Sequence, residues 1–237
     1  MSKYQLYNKS CEDMSEVQDG SVDFMVVDPP FNVGATFGDT KDSRSLAEFA
    51  LFMERVAREA YRVAARDGVV KVNAADTTYV SGQYIDFARQ LQDIYLAAGF
   101  YLVRRDIYLI KHDGGVAAPE DAGEWLDYVG IKNVHSSALH SLEFCKTPQL
   151  FRDDGRVLHF NFEAIPEHPC PFPEALSAHF STCLRPTDKV LLELFMGRGR
   201  LGRYALRRNQ KLKYIGYETD QKIFRSTEQR FDDLKDC

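Results

Sequence analysis

The chain has 237 residues, of which 44% are hydrophobic, enough to bury the core of one large domain or of a domain with a small insertion. Its formal net charge of −5 argues against a surface that is basic throughout, although a local basic face for nucleic acid is compatible with it. The N-terminus has no apolar signal segment, and no stretch approaches the roughly 18 apolar residues of a membrane span, so we expect a soluble cytoplasmic protein.

Five cysteines are present, with no CxxC pair and no ligand spacing typical of a zinc site. They also lack the even framework of small secreted proteins. We therefore expect reduced thiols and no structural metal.

The first half of the chain alternates predicted strands and helices. Residues 22–27 form an apolar run typical of a strand that is buried on both faces. Ser45 and Glu48 have the spacing of a capping box at the start of an amphipathic helix, which we expect to end at Gly68. Residues 69–75 then predict a second strand.

The middle of the chain predicts a helix over about residues 81–98 and a strand over 101–111. Periodicity is lost from residue 112 to about 140, where glycine and proline are frequent, and this indicates an insertion. A strand pattern returns at residues 142–146.

The C-terminal part predicts a helix over residues 174–184, strands over 189–195 and 213–218, and a helix after each of these strands. Seven of the sixteen residues from 198 to 213 are basic, which fits either a solvated helix face or a contact with DNA. Strands that alternate with helices favour an α/β fold with a mainly parallel sheet covered on both faces.

The first candidate site follows the strand that ends at residue 27, where the sequence reads Asp28-Pro29-Pro30-Phe31. Proline cannot continue a strand ladder and biases the residue before it toward an extended backbone, which holds the Asp28 carboxylate at the strand end. The Pro29 carbonyl would be a second acceptor, and Phe31 a flat ring beside both. This arrangement suits a planar ligand with an amino group, and it also fits an ordinary turn.

The second candidate site is LLELFMGRGRLG, residues 191–202, together with Glu218 at the end of the next predicted strand. Gly197 and Gly199 let the backbone approach a ligand closely, and Glu218 is placed to accept from ribose hydroxyls. By itself this pattern supports any nucleoside cofactor, including NAD, or a plain turn.

Taken in chain order, these motifs resemble the β class of DNA amino-methyltransferases, which transfer a methyl group from S-adenosylmethionine (AdoMet) to adenine N6 or cytosine N4. SVDFMVVDPPFNVG looks like the catalytic motif, and DKVLLELFMGRG with YIGYE looks like the cofactor motif and its acidic partner. GFYLVRRDIYLIK and LEFCK resemble the strands that flank a target-recognition insert, and HPCPFPEALSAHF resembles the segment before the cofactor strand. The resemblance covers nearly the whole chain.

The resemblance implies a circularly permuted Rossmann-like sheet, mostly parallel, with helices on both faces and an antiparallel strand at one edge. It divides the methyltransferase domain into a catalytic half (residues 1–111), a short target-recognition insert (112–141) and an AdoMet-binding half (142–237). The implied partner is double-stranded DNA. The short, acidic insert also suggests a loosely specific enzyme, a homodimer or dependence on a partner subunit.

The family's site residues carry over as two sets. The implied catalytic set is Asp28, Pro29, Pro30 and Phe31. The residues implied to bind AdoMet are Asp28, His168, Phe172, Glu193, Phe195, Gly197, Gly199 and Glu218. No metal is implied, because a sulfonium donor already carries an activated methyl group. The loop over residues 32–42 is a candidate lid over the substrate.

In the implied reaction, Asp28 and the Pro29 carbonyl accept hydrogen bonds from the amino group of a base, and Phe31 stacks on that base outside the duplex. In this family, aspartate at the first motif position is usual for adenine enzymes and serine is more frequent in cytosine-N4 enzymes. Adenine N6 is therefore the expected target, with cytosine N4 as the alternative.

The cofactor motif departs from the family pattern. Where the family usually has Asp-Pro-Phe and Gly-Ser-Gly-Thr, this chain has Glu193-Leu194-Phe195 and Gly197-Arg198-Gly199-Arg200. The two arginines would contact DNA phosphates or weaken AdoMet binding, and the latter would suit a non-catalytic subunit that binds DNA or a partner. An NAD-dependent oxidoreductase and an enzyme that acts on RNA are the remaining alternatives.

Overall fold

An eight-stranded sheet with helices on both faces organises the chain. The computed structural model describes residues 3–32, 34–37, 40–80, 83–111, 136–148, 155–161, 174–232 and 234. In this part of the chain the helices are α1 (Leu46–Val63), α2 (Phe87–Ala97), α3 (Glu174–Cys183), α4 (Arg200–Arg208) and α5 (Gln221–Asp232). The strands are β1 (Tyr4–Tyr7), β2 (Val22–Val27), β3 (Thr36–Phe37), β4 (Thr40–Lys41), β5 (Ala64–Ala75), β6 (Thr77–Val80), β7 (Gln83–Asp86), β8 (Tyr101–Lys111), β9 (Ser136–Cys145), β10 (Val157–Asn161), β11 (Val190–Leu194) and β12 (Lys213–Tyr217).

The main sheet has the strand order β1-β12-β11-β2-β5-β9-β8-β10. Neighbouring strands are parallel except at β9, which is antiparallel to both β5 and β8. The predicted α/β class with a mostly parallel sheet is confirmed, but the position expected for the antiparallel strand is wrong. Strand β9 lies inside the sheet, because the short strand β10 pairs in parallel with the outer side of β8.

The order of the strands in sequence is circularly permuted relative to their order in space. Strands β2 and β5 come early in the chain and β11 and β12 come late, yet β11 and β2 lie side by side at the centre of the sheet. Strand β1, which we did not predict, pairs in parallel with β12 at the other edge.

Strand β2 shows how the two faces of the sheet are covered. Phe24 and Val26 belong to a hydrophobic cluster with α3, α4 and α5, whereas Met25 and Val27 belong to a cluster with α1 and α2. All four side chains are almost completely buried. Burial of each large side chain stabilises the fold by about 1.5–3 kcal/mol, so the central strand is anchored from both sides.

Helix α1 begins as the sequence predicts. Ser45 Oγ accepts a hydrogen bond from the N–H of Glu48, and the Glu48 carboxylate accepts from the N–H of Ser45. The helix ends at Val63 instead of Gly68, because the next residue is already extended and starts β5. Gly68 has a different role inside β5: a Cβ there would lie 2.7 Å from the carbonyl oxygen of Val22.

Helix α2 begins at Phe87, several residues later than predicted. The residues before it pair as the short antiparallel hairpin β6–β7. The Asp86 carboxylate then accepts from the N–H of Arg89 at 2.8 Å and caps the helix. The hairpin, a local strand pairing without helical periodicity, therefore delays the start of α2.

The predicted target-recognition insert, residues 112–141, lies mostly outside the described residues. Residues 112–135 are not described, and residues 136–141 belong to β9. Among the described residues, the helices are all too short or too polar to cross a membrane.

Candidate active site at the carboxyl edge of the sheet

The carboxyl ends of β12, β11, β2 and β5 lie next to one another at one edge of the sheet. The chain passes from β11 to β12 on one side and from β2 to β5 on the other, which makes a switch point between β11 and β2. Register places Leu194 beside both Val27 and Tyr217. Asp28, the glycine turn and Glu218 therefore leave the sheet at the same edge.

Asp28 is a half-buried carboxylate at this switch point. Asn73, on the neighbouring strand β5, donates from Nδ2 to Asp28 Oδ1 at 3.2 Å. Burial raises the pKa of Asp28 to about 6, and the hydrogen bond from Asn73 opposes this only in part. At pH 7 the group is mainly ionised, yet it is more basic than an ordinary aspartate.

The three residues after Asp28 line the same edge. Pro29 is buried, and Pro30 and Phe31 are half-buried. The Phe31 ring contacts both hydrophobic clusters and packs edge-on against Phe87, with 5.9 Å between ring centroids. Its packing leaves only part of the ring open to a ligand, and its stacking on a base stays a prediction.

The loop after Phe31 is tied at its base. Asn32 has a φ of 59°, its Nδ2 donates to the carbonyl of Arg44, and its Oδ1 accepts from the N–H of Arg44, both at 2.8 Å. Within the loop, the N–H of Gly34 donates to the carbonyl of Asp42 below the β3–β4 hairpin. The proposed lid is thus a small hairpin, and its movement over a substrate stays a prediction.

The glycine turn between β11 and α4 uses left-handed backbone at Gly197 (φ 50°) and Gly199 (φ 62°). The N–H of Gly197 donates to Glu218 Oε2 at 3.0 Å, and the Thr227 hydroxyl donates to the Gly197 carbonyl at 2.8 Å. The structure therefore brings the turn into direct contact with the acid that ends the next strand.

Glu218 is held from several sides. Its Oε1 accepts from the N–H of Asp220 at 2.8 Å, its own N–H donates to the Tyr7 carbonyl, and Asn8 Nδ2 donates to its carbonyl. Burial raises the pKa of Glu218. Each carboxylate oxygen has a further lone pair, so the side chain retains the capacity to accept from ligand hydroxyls.

Glu193 lies deeper than the other candidate residues and is 5% exposed. The Tyr214 hydroxyl donates to its Oε2 at 2.6 Å, and the N–H of Gly202, in the first turn of α4, is a second donor. Burial, with a smaller contribution from the charge of Asp28, raises the pKa of Glu193 to about 8. These protein contacts link β11 to β12 and α4.

Phe195 starts the glycine turn with a φ of 63°. Its ring lies edge-on to Phe52 of α1, with 5.9 Å between centroids, and the Arg44 guanidinium lies 4.4 Å from the centre of the Phe52 ring. This row of side chains connects the base of the β3–β4 loop to the turn.

Residues 22–114, from β2 to just beyond β8, match the N6/N4 DNA methylase family. The matched span contains Asp28-Pro29-Pro30-Phe31 and the strand that carries Asn73. The similarity to this family is therefore shown for the part of the chain that carries the first candidate motif.

Similarity to known methylases extends over nearly the whole chain. The type II methyltransferase M.HpaI of Haemophilus parainfluenzae is 20% identical over 234 residues, which cover 92% of this chain and 71% of M.HpaI. The solved PvuII DNA methyltransferase, which is cytosine-N4-specific, is 18% identical with a TM-score of 0.67, over 99% of this chain and 91% of its own. The protein TTHA0409 of Thermus thermophilus, solved in complex with AdoMet, is 17% identical with a TM-score of 0.65. The match covers 97% of this chain and 93% of TTHA0409. These likenesses confirm the predicted methyltransferase fold.

Two of the candidate site residues, His168 and Phe172, lie outside the described residues. Arg198 and Arg200 are half-buried on either side of Gly199. The expectation that they affect AdoMet binding stays a prediction.

Sequence patterns did not identify Asn73, which holds Asp28, or Tyr214, which holds Glu193. Asn73 is one of two polar residues at alternate positions in the buried strand VVKVNAA, the other being Lys71. Polar residues on one face of such a strand are a signal that could have identified it. Tyr214 has no comparable signal, because tyrosine is common in strands.

Proposed function

We propose that the protein is an AdoMet-dependent DNA methyltransferase that modifies adenine N6. The observation that carries the proposal is the position of Asp28, a basic carboxylate at the sheet's switch point, next to the glycine turn and Glu218. Ligands of open α/β sheets bind in the crevice beside such a switch point. The similarity of residues 22–114 to the N6/N4 DNA methylase family supports the reaction class.

The residues at the edge fit AdoMet. Glu218 offers free lone pairs for ribose hydroxyls, Gly197 and Gly199 keep side chains away from the turn, and Phe195 provides an apolar surface beside it. When bound, AdoMet would supply the activated methyl group. We infer that these residues orient it toward the end of β2, since the glycine turn and Asp28 belong to adjacent strands.

The chain's part in the chemistry is to activate the amino group of the base. That nitrogen is a poor nucleophile because its lone pair is delocalised into the ring. Hydrogen bonds from its N–H groups to Asp28 and to the Pro29 carbonyl would localise the lone pair, and they would strengthen as positive charge develops on nitrogen. With a pKa of about 6, Asp28 can also take the released proton.

The preference for adenine N6 over cytosine N4 rests on aspartate at the first position of the catalytic motif. A purine also offers a larger face than a pyrimidine to the partly open ring of Phe31. The base must first leave the duplex, which costs a few kcal/mol, and stacking on Phe31 would offset part of that cost.

The test is to incubate the protein with AdoMet and unmodified duplex DNA and to measure modified nucleosides by mass spectrometry. We expect N6-methyladenine, with a rate that falls as the pH drops below about 6, where Asp28 becomes protonated. Asp28→Ala should reduce the rate by at least about 100-fold. N4-methylcytosine in place of N6-methyladenine would contradict the choice of base.

Asp23→Ala is the matched control. Asp23 lies on the same strand as Asp28 but near its opposite end, where its carboxylate accepts from the N–H groups of Lys189 and Val190. Its loss should leave the methylation rate of the folded protein unchanged. Calorimetry separates the rival functions, since a catalytic methyltransferase binds AdoMet, an oxidoreductase would bind NAD instead, and a non-catalytic subunit need not bind AdoMet. An Asp28→Ala protein that retains single-turnover activity would overturn the mechanism.

A further inference from the structure

We propose that Asn73 is a positioning residue of the methyltransferase site: a neutral donor that fixes the orientation of the Asp28 carboxylate. The inference rests on the proposed function and extends it to a residue that does not touch the substrate. It is carried by the hydrogen bond between the two side chains and by the arrangement of charge around them.

The backbone places the two residues side by side. Val27 of β2 pairs with Val72 of β5, so the next residue on each strand, Asp28 and Asn73, lies at the same level of the sheet. Asn73 is fully buried within β5, where it is flanked on the other side by Ser141 of β9. A donor held in the middle of a sheet has little freedom to move, and it can therefore fix the carboxylate.

The charge state of Asp28 determines which end of the amide faces it. Only the NH2 group of asparagine can donate, and an ionised carboxylate accepts hydrogen bonds without donating any. The amide oxygen would be repelled by the Asp28 carboxylate, so Nδ2 must point toward Asp28, as it does at 3.2 Å. Asn73 Oδ1 consequently points elsewhere, is buried, and has no hydrogen-bond partner among the described residues.

Positive charge near Asp28 is directed away from it. Lys71 lies two residues before Asn73 on the same face of β5, yet its ammonium pairs with Glu143 at 2.6 Å and with Asp106 at 3.5 Å. Arg104 bridges the same two acids at 3.3 and 3.1 Å. On the other side of β2, Glu193 is the nearest ionisable group in register. Asn73, which has no charge, is thus the side chain that β5 presents to Asp28.

A neutral donor suits the proposed reaction better than a cation. An ammonium group beside Asp28 would strongly favour the ionised form and make the carboxylate a weaker acceptor for the base N–H. It would also repel the positive charge that develops on the amino group during methyl transfer. An amide orients the oxygen, favours the ionised form only weakly and does not repel the developing positive charge.

The experiment compares the pH dependence of single-turnover methyl transfer in the wild type, Asn73→Ala and Asn73→Asp. Loss of the hydrogen bond should lower the rate by about 100-fold with unchanged affinity for AdoMet. Because the bond from Asn73 favours ionised Asp28, the acidic limb of the profile should move to higher pH in Asn73→Ala. In Asn73→Asp, a second carboxylate should move it further in the same direction.

Ser141→Ala is the matched control, because Ser141 is the other register neighbour of Asn73 and is equally buried. The Ser141→Ala variant should leave the acidic limb of the pH–rate profile at the same pH as in the wild type. The proposal is overturned if the limb of Asn73→Ala coincides with that of the wild type, or if Ser141→Ala shifts it to the same extent.

A second measurement separates this proposal from the proposed function. Carboxyl ¹³C NMR titration reports the pKa of Asp28 directly in wild type and in Asn73→Ser, a variant that is milder than alanine and too short to reach Asp28. If the wild type transfers no methyl group, the proposed function fails, whereas an upward shift of the Asp28 titration in the variant would still support the pairing. An unchanged titration would refute it.

Discussion

Asp28 and Glu193 are acidic side chains on adjacent central strands, and burial raises the pKa of both. Their partners differ. Asp28 receives one neutral donor at the open edge, while Glu193 is enclosed by Tyr214 and the first turn of α4. The same physical effect therefore produces a basic acceptor at the site and, below it, an acid that is mainly protonated at pH 7.

Glu193→Gln should make the stability of the protein less dependent on pH. The pKa of Glu193 is about 8 in the folded state, against an ordinary value of 4.5, so between these values the folded state keeps a proton that the unfolded state releases. The free energy of unfolding contributed by this group is highest below about pH 4.5 and falls as the pH rises toward 8. Urea denaturation across that pH range should show a smaller fall in the free energy of unfolding for the variant than for the wild type. Glu228→Gln, at an exposed position, is the control. The prediction is contradicted if the free energy of unfolding falls equally steeply with pH in Glu193→Gln and in the wild type.

At the scale of the elements, the turn between β11 and α4 depends on a glycine for two separate reasons. Gly199 has a φ of 62°, and a Cβ added to it would lie 2.5 Å from the Phe231 ring of α5. The backbone conformation disfavours any other residue, and the close packing leaves no room for a side chain.

Gly199→Ala should destabilise the protein by about 2–4 kcal/mol, the sum of the cost of a left-handed backbone and that of overpacking. Gly20→Ala is the matched control, since Gly20 has nearly the same φ, 64°, with nothing near its missing Cβ. It should cost only about 1–2 kcal/mol. Thermal or urea denaturation measures both, and an equal loss in the two variants would show that Phe231 moves aside without cost.

Sequence periodicity predicted elements whose signals are local. The capping box of Ser45 and Glu48 is formed by residues three apart, and the apolar run of β2 needs no distant partner. Sequence periodicity misplaced the end of α1 and the start of α2. The residues after α1 pair with β2 as the start of β5, and the residues before α2 pair as the β6–β7 hairpin, so both boundaries are set by pairing between strands. A glycine such as Gly68 reads as a helix terminator until its contact with Val22 is known.

At the scale of the whole molecule, a buried ionic cluster joins parts of the chain that are far apart in sequence. Lys71 of β5, Arg104 and Asp106 of β8, and Glu143 of β9 are all nearly inaccessible to solvent. Two cations and two anions leave the cluster neutral. It connects β9, which follows residues 112–135, to strands that precede them.

Lys71→Met should destabilise the protein by about 3–5 kcal/mol, because it leaves Glu143 buried with an incomplete set of partners. The double variant Lys71→Met/Glu143→Met keeps the pair of Arg104 and Asp106, removes one charge of each sign and should regain most of the loss. Denaturation curves of the single and double variants test this. A double variant less stable than the single one would show that the cluster acts as one indivisible unit.

The sequence by itself determined most of the longer elements and the two motifs, because strand burial, helix capping and proline or glycine turns are governed by neighbouring residues. It also placed Asp28 and Glu218 at strand ends, since each follows an apolar run. Only the tertiary structure decided which strands are adjacent, and therefore that β9 lies inside the sheet and that Asn73 faces Asp28. Those facts depend on pairings between residues 25 or more positions apart, which no local pattern encodes.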